Sequence, residues 1–340
     1  MAPEDLIWRP PLAADISALL CFEADCADVD GATDRSALTA WEPRLRSSEP
    51  LPAGEFGEVL PVRGPDGARG EGLLVEVTGP AGTRIAAAGW VELDEKGPES
   101  RVYLDGRVHP AFRGCGIGSE LLRAMESHGR RWLAALPGGR SQVLRILFYD
   151  RAPDAQALFE QNAFVFRHAE DDMEVKLGGC QRADAGLPSP KLAPEHWSST
   201  IAADFFRIYD DAFGTRPGSS LTGADWHRAF ANPRDEDFRP QLSLLVREGA
   251  EPIAYTVCHE QPEEDGSQRW LWITQTGVKP GWRRQGIGRA LLAENLRRAA
   301  ASGYSRAMLS VNVDNPEARA LYEELGFRMM RRCTVYSKDI

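Results

Sequence analysis

Two stretches of this chain, Ala111–Leu122 (AFRGCGIGSELL) and Gly281–Leu292 (GWRRQGIGRALL), are near copies of one another. At an offset of 170 residues Val108-His109-Pro110 falls on Val278-Lys279-Pro280, Arg113 on Arg283, Gly116 on Gly286 and Gly118 on Gly288. A second pair of blocks, Ala152–Phe164 (APDAQALFEQNAF) and Asn315–Phe327 (NPEARALYEELGF), aligns at an offset of 163. Two matched blocks in the same order point to a duplicated domain. The expected division is a first domain over 1–178, a linker over 179–194 and a second domain over 195–340. The linker is expected because that segment is rich in Gly and Pro and has no apolar period. Ser47–Gly72 has the same character and is expected to be an exposed loop inside the first half.

Each half follows one coarse order. Helical material comes first, PLAADISALLCFEA in one half and STIAADFFRIYDDAF in the other. Three strand-like runs follow, then the glycine loop, a helix, another strand, a last helix and a closing strand (DMEVKL; RCTVYSK). The pattern predicts an α/β fold with antiparallel strands early and a βαβ unit late.

The glycine loop has its own chemistry. WLWITQTGV reads as a strand and Arg289–Ser302 as a helix, with Gly303 as its stop. Glycines at 286 and 288 let a ligand approach the backbone, and the helix N-terminus adds unpaired N–H donors. That combination suits a pyrophosphate. A dinucleotide fingerprint would need a third glycine where Leu291 stands, and no phosphate loop of the G-x-x-x-x-G-K-[ST] type is present.

An Arg-x-x-Gly-x-Gly loop after a strand and a Val-x-Pro turn resembles motif A of the GNAT (Gcn5-related N-acetyltransferase) superfamily. NPEARALYEELGF resembles that family's motif B. The resemblance implies two tandem GNAT domains, each a mixed, mostly antiparallel central sheet flanked by helices. It implies acetyl-CoA or another acyl-CoA as co-substrate, with the pyrophosphate on the loop amides and the pantetheine arm between two splayed strands. The cofactor-binding positions it implies are Val278, Arg283, Arg284, Gln285, Gly286, Ile287, Gly288, Arg289 and Asn315 in the second half. In the first half they are Val108, Arg113, Gly114, Cys115, Gly116, Ile117, Gly118 and Ser119.

The halves differ where a reaction would occur. On residue pattern alone Tyr322 is an amphipathic core residue of the motif B helix, which Asn315 caps and Gly326 ends. The resemblance implies more, a general acid that protonates the departing thiolate. The first half has Phe159 there, Ala152 for the cap and Ala163 for the stop. The general base is less legible, since Thr274 and Gln275 stand where the family often has a carboxylate. His259 and Glu260, on the preceding strand, are the nearest titratable candidates, and a solvated strand end is the plain alternative for both. Asp105 lies on the corresponding strand of the first half, and Cys115 reads as a small residue filling its loop.

Composition narrows the partners. A formal charge of −10 argues against a nucleic-acid binder. The six cysteines form no C-x-x-C pair and no zinc-type cluster, so free thiols, no metal and a cytoplasmic setting are expected. No signal peptide and no membrane span are expected either. The five Lys against thirty-five Arg read as the codon bias of a high-G+C genome. The leading expectation is an acyl-CoA-dependent N-acyltransferase acting on a small-molecule amine, with the second half as catalyst. The rivals are a non-catalytic CoA-binding sensor or assembly protein, and an enzyme that acetylates protein amines. An oligomer is compatible with the sequence but not read from it.

Overall fold

The computed structural model describes residues 6–30, 62–63, 69–79, 82–95, 99–149, 153–178, 189, 192–214, 221–262 and 269–340. Most of the expected linker and of the Ser47–Gly72 loop, and Ala152, lie outside these residues. In chain order the first half holds β1 (Leu6–Arg9), α1 (Ile16–Asp30), β2 (Val62–Arg63), β3 (Arg69–Gly79), β4 (Gly82–Asp94) and β5 (Ser100–Val108). It continues with α2 (Ile117–Ala134), β6 (Gln142–Tyr149), α3 (Pro153–Gln161) and β7 (Val165–Lys176). The second half holds β8 (Pro194–His196), α4 (Ala202–Phe213), α5 (Gly223–Phe230), β9 (Leu244–Glu248), β10 (Glu251–Pro262) and β11 (Arg269–Val278). It ends with α6 (Ile287–Ala301), β12 (Arg306–Asn312), α7 (Pro316–Glu324) and β13 (Arg328–Asp339).

These elements form two compact units of mixed α/β structure. The first comprises Met1–Glu95, Glu99–His168 and Thr334–Ile340; the second comprises Lys96–Pro98 and Ala169–Cys333. In the first, the strand order is β1-β3-β4-β5-β6 and then the end of β13; β2 pairs with β3. In the second it is β8-β9-β10-β11-β12 and then β7. Strands β5 and β6, and β11 and β12, pair in parallel as a βαβ crossover requires, while β1–β3, β2–β3, β3–β4, β4–β5, β8–β9, β9–β10, β10–β11 and β7–β12 are antiparallel.

The closing strands are exchanged relative to the sequence halves. Residues Glu170–Lys176 pair with β12, from Asn312↔Glu170 to Arg306↔Lys176, and Met173, Val175 and Leu177 enter the core of the second unit. The end of β13 closes the first unit instead. There Ile340 N–H donates to Gln142 O at 3.0 Å, and Tyr336 is buried in the core. The compact units thus depart at these two strands from the boundaries 1–178 and 195–340 expected from the repeat. The reason is that a repeat reports which strands are homologous, not which sheet edge each one covers. Both closing strands are half apolar with period 2, so their partner is set by tertiary packing.

Each core is built on one long helix against its sheet. In α2, Ile117, Leu121, Leu122, Met125, Trp132 and Leu133 are buried at helical spacing. Gly129 lets this helix approach closely, since a Cβ there would meet Leu144 Cδ2 at 2.7 Å. In α6 the apolar face includes a buried Asn295. It receives a bond from Thr256 Oγ1 at 2.8 Å and donates Nδ2–H to Leu242 O at 2.6 Å. That polar pin ties helix to sheet at the place where the first unit has Met125. No helix among the described residues is long and apolar enough to cross a membrane.

Helices α3 and α7 stop in the same way. Phe164 N–H donates to Phe159 O and Phe327 N–H to Tyr322 O, each at 3.0 Å, around a left-handed residue. That residue is Gly326 (φ 94°) in α7 but Ala163 (φ 62°) in α3. A Cβ on Gly326 would meet only ordinary contact, Val175 Cγ2 at 3.5 Å, so backbone conformation decides the cost. Ala163→Gly is expected to stabilise the protein by about 0.5–1 kcal/mol, and Gly326→Ala to destabilise it by about 1 kcal/mol. Urea titration checks both; a lower midpoint for Ala163→Gly would contradict the reading.

Candidate active site

The two loops are built alike. In the second unit β11 runs through a 3-10 turn at Pro280–Trp282 into α6, and Gly286 (φ 79°) precedes the helix. In the first unit Gly116 (φ 86°) does the same before α2. Two residues earlier, Gly114 (φ 73°) and Arg284 (φ 62°) are also left-handed. Left-handed residues set in such a turn, followed by the unpaired first-turn amides of a helix, leave N–H groups to converge on one point. Gly288 is not demanded by the protein's own packing: a Cβ would meet Val278 Cγ2 at 3.4 Å and Leu321 Cδ2 at 4.0 Å. For Gly118 the neighbours are Leu158 Cδ2 and Val108 Cγ2, both at 3.5 Å. Neither glycine is therefore demanded by a tight contact inside the protein.

The loop side chains divide into braces and exposed charges. Arg283 Nε–H donates to Val278 O at 3.1 Å and its Nη2 to Ala212 O at 3.0 Å; Arg113 Nε–H donates to Val108 O at 3.0 Å. Both arginines staple the loop to the end of its strand. Gln285 Nε2 donates to Gly281 O at 3.2 Å, Cys115 Sγ to Arg113 O at 3.7 Å, and Ser119 N–H to Gly116 O at 3.0 Å. Ile287 and Ile117 are buried anchors. Arg284 pairs with Glu317 at 3.0 Å in the open, and Arg289 is exposed. The turn before each loop is tied to a helix, Lys279 to Asp211 of α4 at 2.8 Å and His109 to Asp25 of α1 at 3.2 Å. Asn315 acts as the cap read from sequence, its Oδ1 accepting from Ala318 N at 3.2 Å.

Beyond each loop the parallel strands part. Strands β11 and β12 pair only from Trp270↔Arg306 to Trp272↔Met308, and β5 and β6 only from Ser100↔Gln142 to Tyr103↔Arg145. The second unit has an additional break. Val257 faces Gln275 but Cys258 faces Ile273, so Thr274 bulges out of β11 without a partner on β10. No such shift interrupts β5, which faces β4 without a break from Ala87↔Val108 to Asp94↔Arg101 and leaves Asp105 exposed. Bulges beside a cleft re-aim side chains and free backbone groups.

The bulge gathers a set of polar groups. Thr274 Oγ1 donates its one proton to Val257 O at 3.2 Å and lies 3.1 Å from His259 Nδ1. With its proton committed, Thr274 accepts from His259 Nδ1–H, which leaves the lone pair on Nε2. Burial lowers the His259 pKa below its ordinary value, so the ring is neutral at pH 7. Glu260 is engaged differently. It accepts from Arg239 Nε at 2.9 Å and from Tyr304 OH at 2.5 Å, and the Arg239 bond holds its carboxyl below the usual range. It is a brace on the β10 end, the weaker of the two base candidates. Next to the bulge, Gln275 Oε1 accepts from Trp226 Nε1 at 3.0 Å and Tyr255 OH at 2.7 Å. An indole N–H only donates, so the amide oxygen must face it and the Gln275 NH2 turns away. The sequence reading missed α5 and its Trp226, although Thr222-x-x-Asp225 carries a capping signal: Thr222 Oγ1 accepts from Asp225 N at 3.2 Å.

Tyr322 is half-buried on α7, packed on the core of the second unit with its ring 6.1 Å from Phe327. Burial pushes its pKa up to about 12, so the phenol keeps its proton at neutral pH. Phe159 of the first unit is packed edge-on to Phe148 at 5.4 Å and against Tyr336 at 5.3 Å, and carries no proton to give.

The family model for the Acetyltransferase (GNAT) family matches residues 55–152 and 203–327, more than half of the chain. A mycothiol acetyltransferase of Streptomyces avermitilis is 29% identical over 241 residues, covering 70% of this chain and 72% of its own. A mycothiol acetyltransferase of Thermobifida fusca is 26% identical over 89% of this chain and 94% of its own. In fold, the chain resembles a GCN5-related N-acetyltransferase from Sphaerobacter thermophilus, with TM-score 0.71, 23% identity and coverage of 100% and 97%. It also resembles the tandem GNAT protein of the clavulanic acid biosynthesis pathway, with TM-score 0.61, 16% identity and coverage of 98% of both chains. Two matched segments, two glycine cradles and two sheets that part beside them lead to one conclusion: the chain belongs to the GNAT family of acetyltransferases, as a tandem member.

Proposed function

We propose that this enzyme transfers an acetyl group from acetyl-CoA directly to a primary amine of a small molecule, and that the second unit does so. The observation that carries the proposal is the half-buried Tyr322 phenol, proton retained, on the motif B helix where the first unit has Phe159. In this reading the loop amides around Gly286 and Gly288 hold the pyrophosphate, and the thioester lies where β11 and β12 part. The neutral amine attacks the thioester carbonyl carbon and its surplus proton goes to His259 Nε2. As the C–S bond breaks, the leaving sulfur takes the Tyr322 proton. The Thr274 bulge supports the same choice of unit, because β5 lacks one. The names of the mycothiol acetyltransferase relatives support a small-molecule acceptor over a protein one. The first unit keeps a cradle without an acid, which suits CoA binding without transfer.

One feature favours a different reading, a CoA-binding protein that transfers nothing: Thr274–Gln275 offers no carboxylate. Acetyl-CoA consumption against a panel of amino sugars, amino acids and polyamines separates the two. No amine-dependent CoA release from any acceptor would favour the non-catalytic reading.

With the best amine of that panel, Tyr322→Phe is expected to lower kcat about 10²-fold while leaving acetyl-CoA affinity within about twofold. Unchanged turnover would remove Tyr322 from the reaction.

The pH dependence has a defined sign. A lowered His259 pKa keeps the base unprotonated to lower pH, so the acid limb of log kcat falls below the ordinary imidazole value of 6.5. A raised Tyr322 pKa means no alkaline loss near 10.0, where an ordinary phenol ionises. An acid limb at or above 6.5 that persists in His259→Gln would assign the base elsewhere.

Glu260→Gln serves as the contrast. It is expected to leave kcat within about twofold but to cost about 1–3 kcal/mol of stability at pH 7. A carboxyl depressed in the folded state stabilises above its unfolded pKa, so this cost shrinks as pH falls below 4.5. Paired urea titrations at both pH values measure it.

A further inference from the structure

The motif B helix of the second unit is held by a carboxylate that belongs, in sequence, to the first repeat. Asp171 on β7 is fully buried and faces Val311 across the β7–β12 pair. It accepts from Arg319 Nη1 of α7 and, at 2.7 Å, from Arg332 Nε of β13. Arg319 stands one turn before Tyr322 and braces Glu323 at 3.0 Å. The same end of β7 also supports the turn into α7: Val313 N–H donates to Ala169 O at 3.0 Å, and Asn315 N–H to Asn312 O at 2.9 Å. Next along the strand, Asp172 accepts from Ser310 Oγ at 2.7 Å and Arg331 Nε at 2.8 Å. The first unit has Thr334 and Val335 at the positions corresponding to these carboxylates, and Gln156 where α7 has Arg319.

We propose that Asp171 is a positioning residue for Tyr322: through Arg319 it sets the seat of α7, so the second unit's acid is placed by a residue of the first repeat. The proposal rests on the reading of Tyr322 as the acid. Its physical basis is that a buried carboxylate bonded to two guanidinium groups has one low-energy geometry. A helix of nine residues whose core contacts, Ala318, Leu321 and Tyr322, are all only partly buried gains rotational definition from that ion pair. It also gives the strand exchange a consequence, since the second unit cannot complete its site from its own repeat.

The test uses the full chain labelled at the tyrosine ring carbons. Loss of one signal in Tyr322→Phe assigns Tyr322 among the seven tyrosines. Asp171→Asn and Arg319→Gln are each expected to shift that signal. Each should also lower kcat about tenfold, with acetyl-CoA KM nearly unchanged. On the Tyr322→Phe background neither should lower kcat further, because the group they position is gone. Arg319→Gln leaves Asp171 bonded to Arg332 and serves if Asp171→Asn does not fold. A Tyr322 signal unmoved by both variants, or losses that multiply on the Tyr322→Phe background, overturns the proposal. If Tyr322→Phe alone leaves turnover intact, the acid reading fails, while a shifted signal still upholds the placement by Asp171.

Discussion

The second unit depends on one constraint: two parallel strands must pair and then part. Strands β11 and β12 stay together for three residues, Trp270–Trp272 against Arg306–Met308, and then separate. Backbone groups freed by parting must be satisfied elsewhere or wetted. The outer edge of each strand must still be paired to hold it in place once the two have parted, so each needs a long partner on that side. For β11 that partner is β10, paired from Ala254↔Val278 to Pro262↔Arg269. For β12 it is β7, which reaches past the parting point to Asn312↔Glu170. The exchanged strand is thus the outer wall of the opening, and its acidic end lies where α7 begins. The first unit meets the same need on one side with β4, paired along all of β5 past Tyr103.

On the proposed reading, little separates a cradle from a complete site. Both units keep the left-handed glycine before the helix, the arginine staple and a turn side chain, Lys279 or His109, tied to a helical carboxylate. They diverge in three places that do not affect folding of the loop: Tyr322 against Phe159, a bulged β11 against an even β5, and a polar pin at Asn295 against Met125. Phe159 and Met125 are good core residues, buried among neighbours of the same kind. On the proposed reading the first unit lacks an acid at no cost in packing, since Phe159 and Met125 sit in an ordinary apolar core.

Much of this was legible in the sequence because it lay in local pattern. The loops, the two helices behind them and the Asn315 cap follow from glycine placement and helical period alone. The exchange of closing strands was not legible, because β7 and β13 alternate alike and edge pairing is a long-range choice. Nor was the role of the carboxylates: Asp171 and Asp172 read as charged strand residues until their arginines, 148 to 161 positions away, are seen around them. The bulge at Thr274 was equally hidden, since one unpaired residue leaves the strand pattern unchanged. The His259 lone pair depends on it, through a threonine that has a single proton to give.

The arginines of the loops carry a lesson about charge. The sequence pattern places Arg283 and Arg113 beside an anion, yet both guanidinium groups donate to backbone carbonyls of the protein. On the proposed reading a pyrophosphate meets mostly fixed dipole, the amides of the turn and of the helix start. Arg284 and Arg289 add charge only in solvent, where salt screens it. A chain with a formal charge of −10 repels a polyanion at long range, and a cradle of aligned amides acts only at contact. Recognition by dipoles of fixed direction favours the shape of a pyrophosphate over its charge alone. The two halves share the glycines that orient the amides and the one arginine that staples each loop, while the exposed Arg284 and Arg289 are matched by Gly114 and Ser119 in the first half.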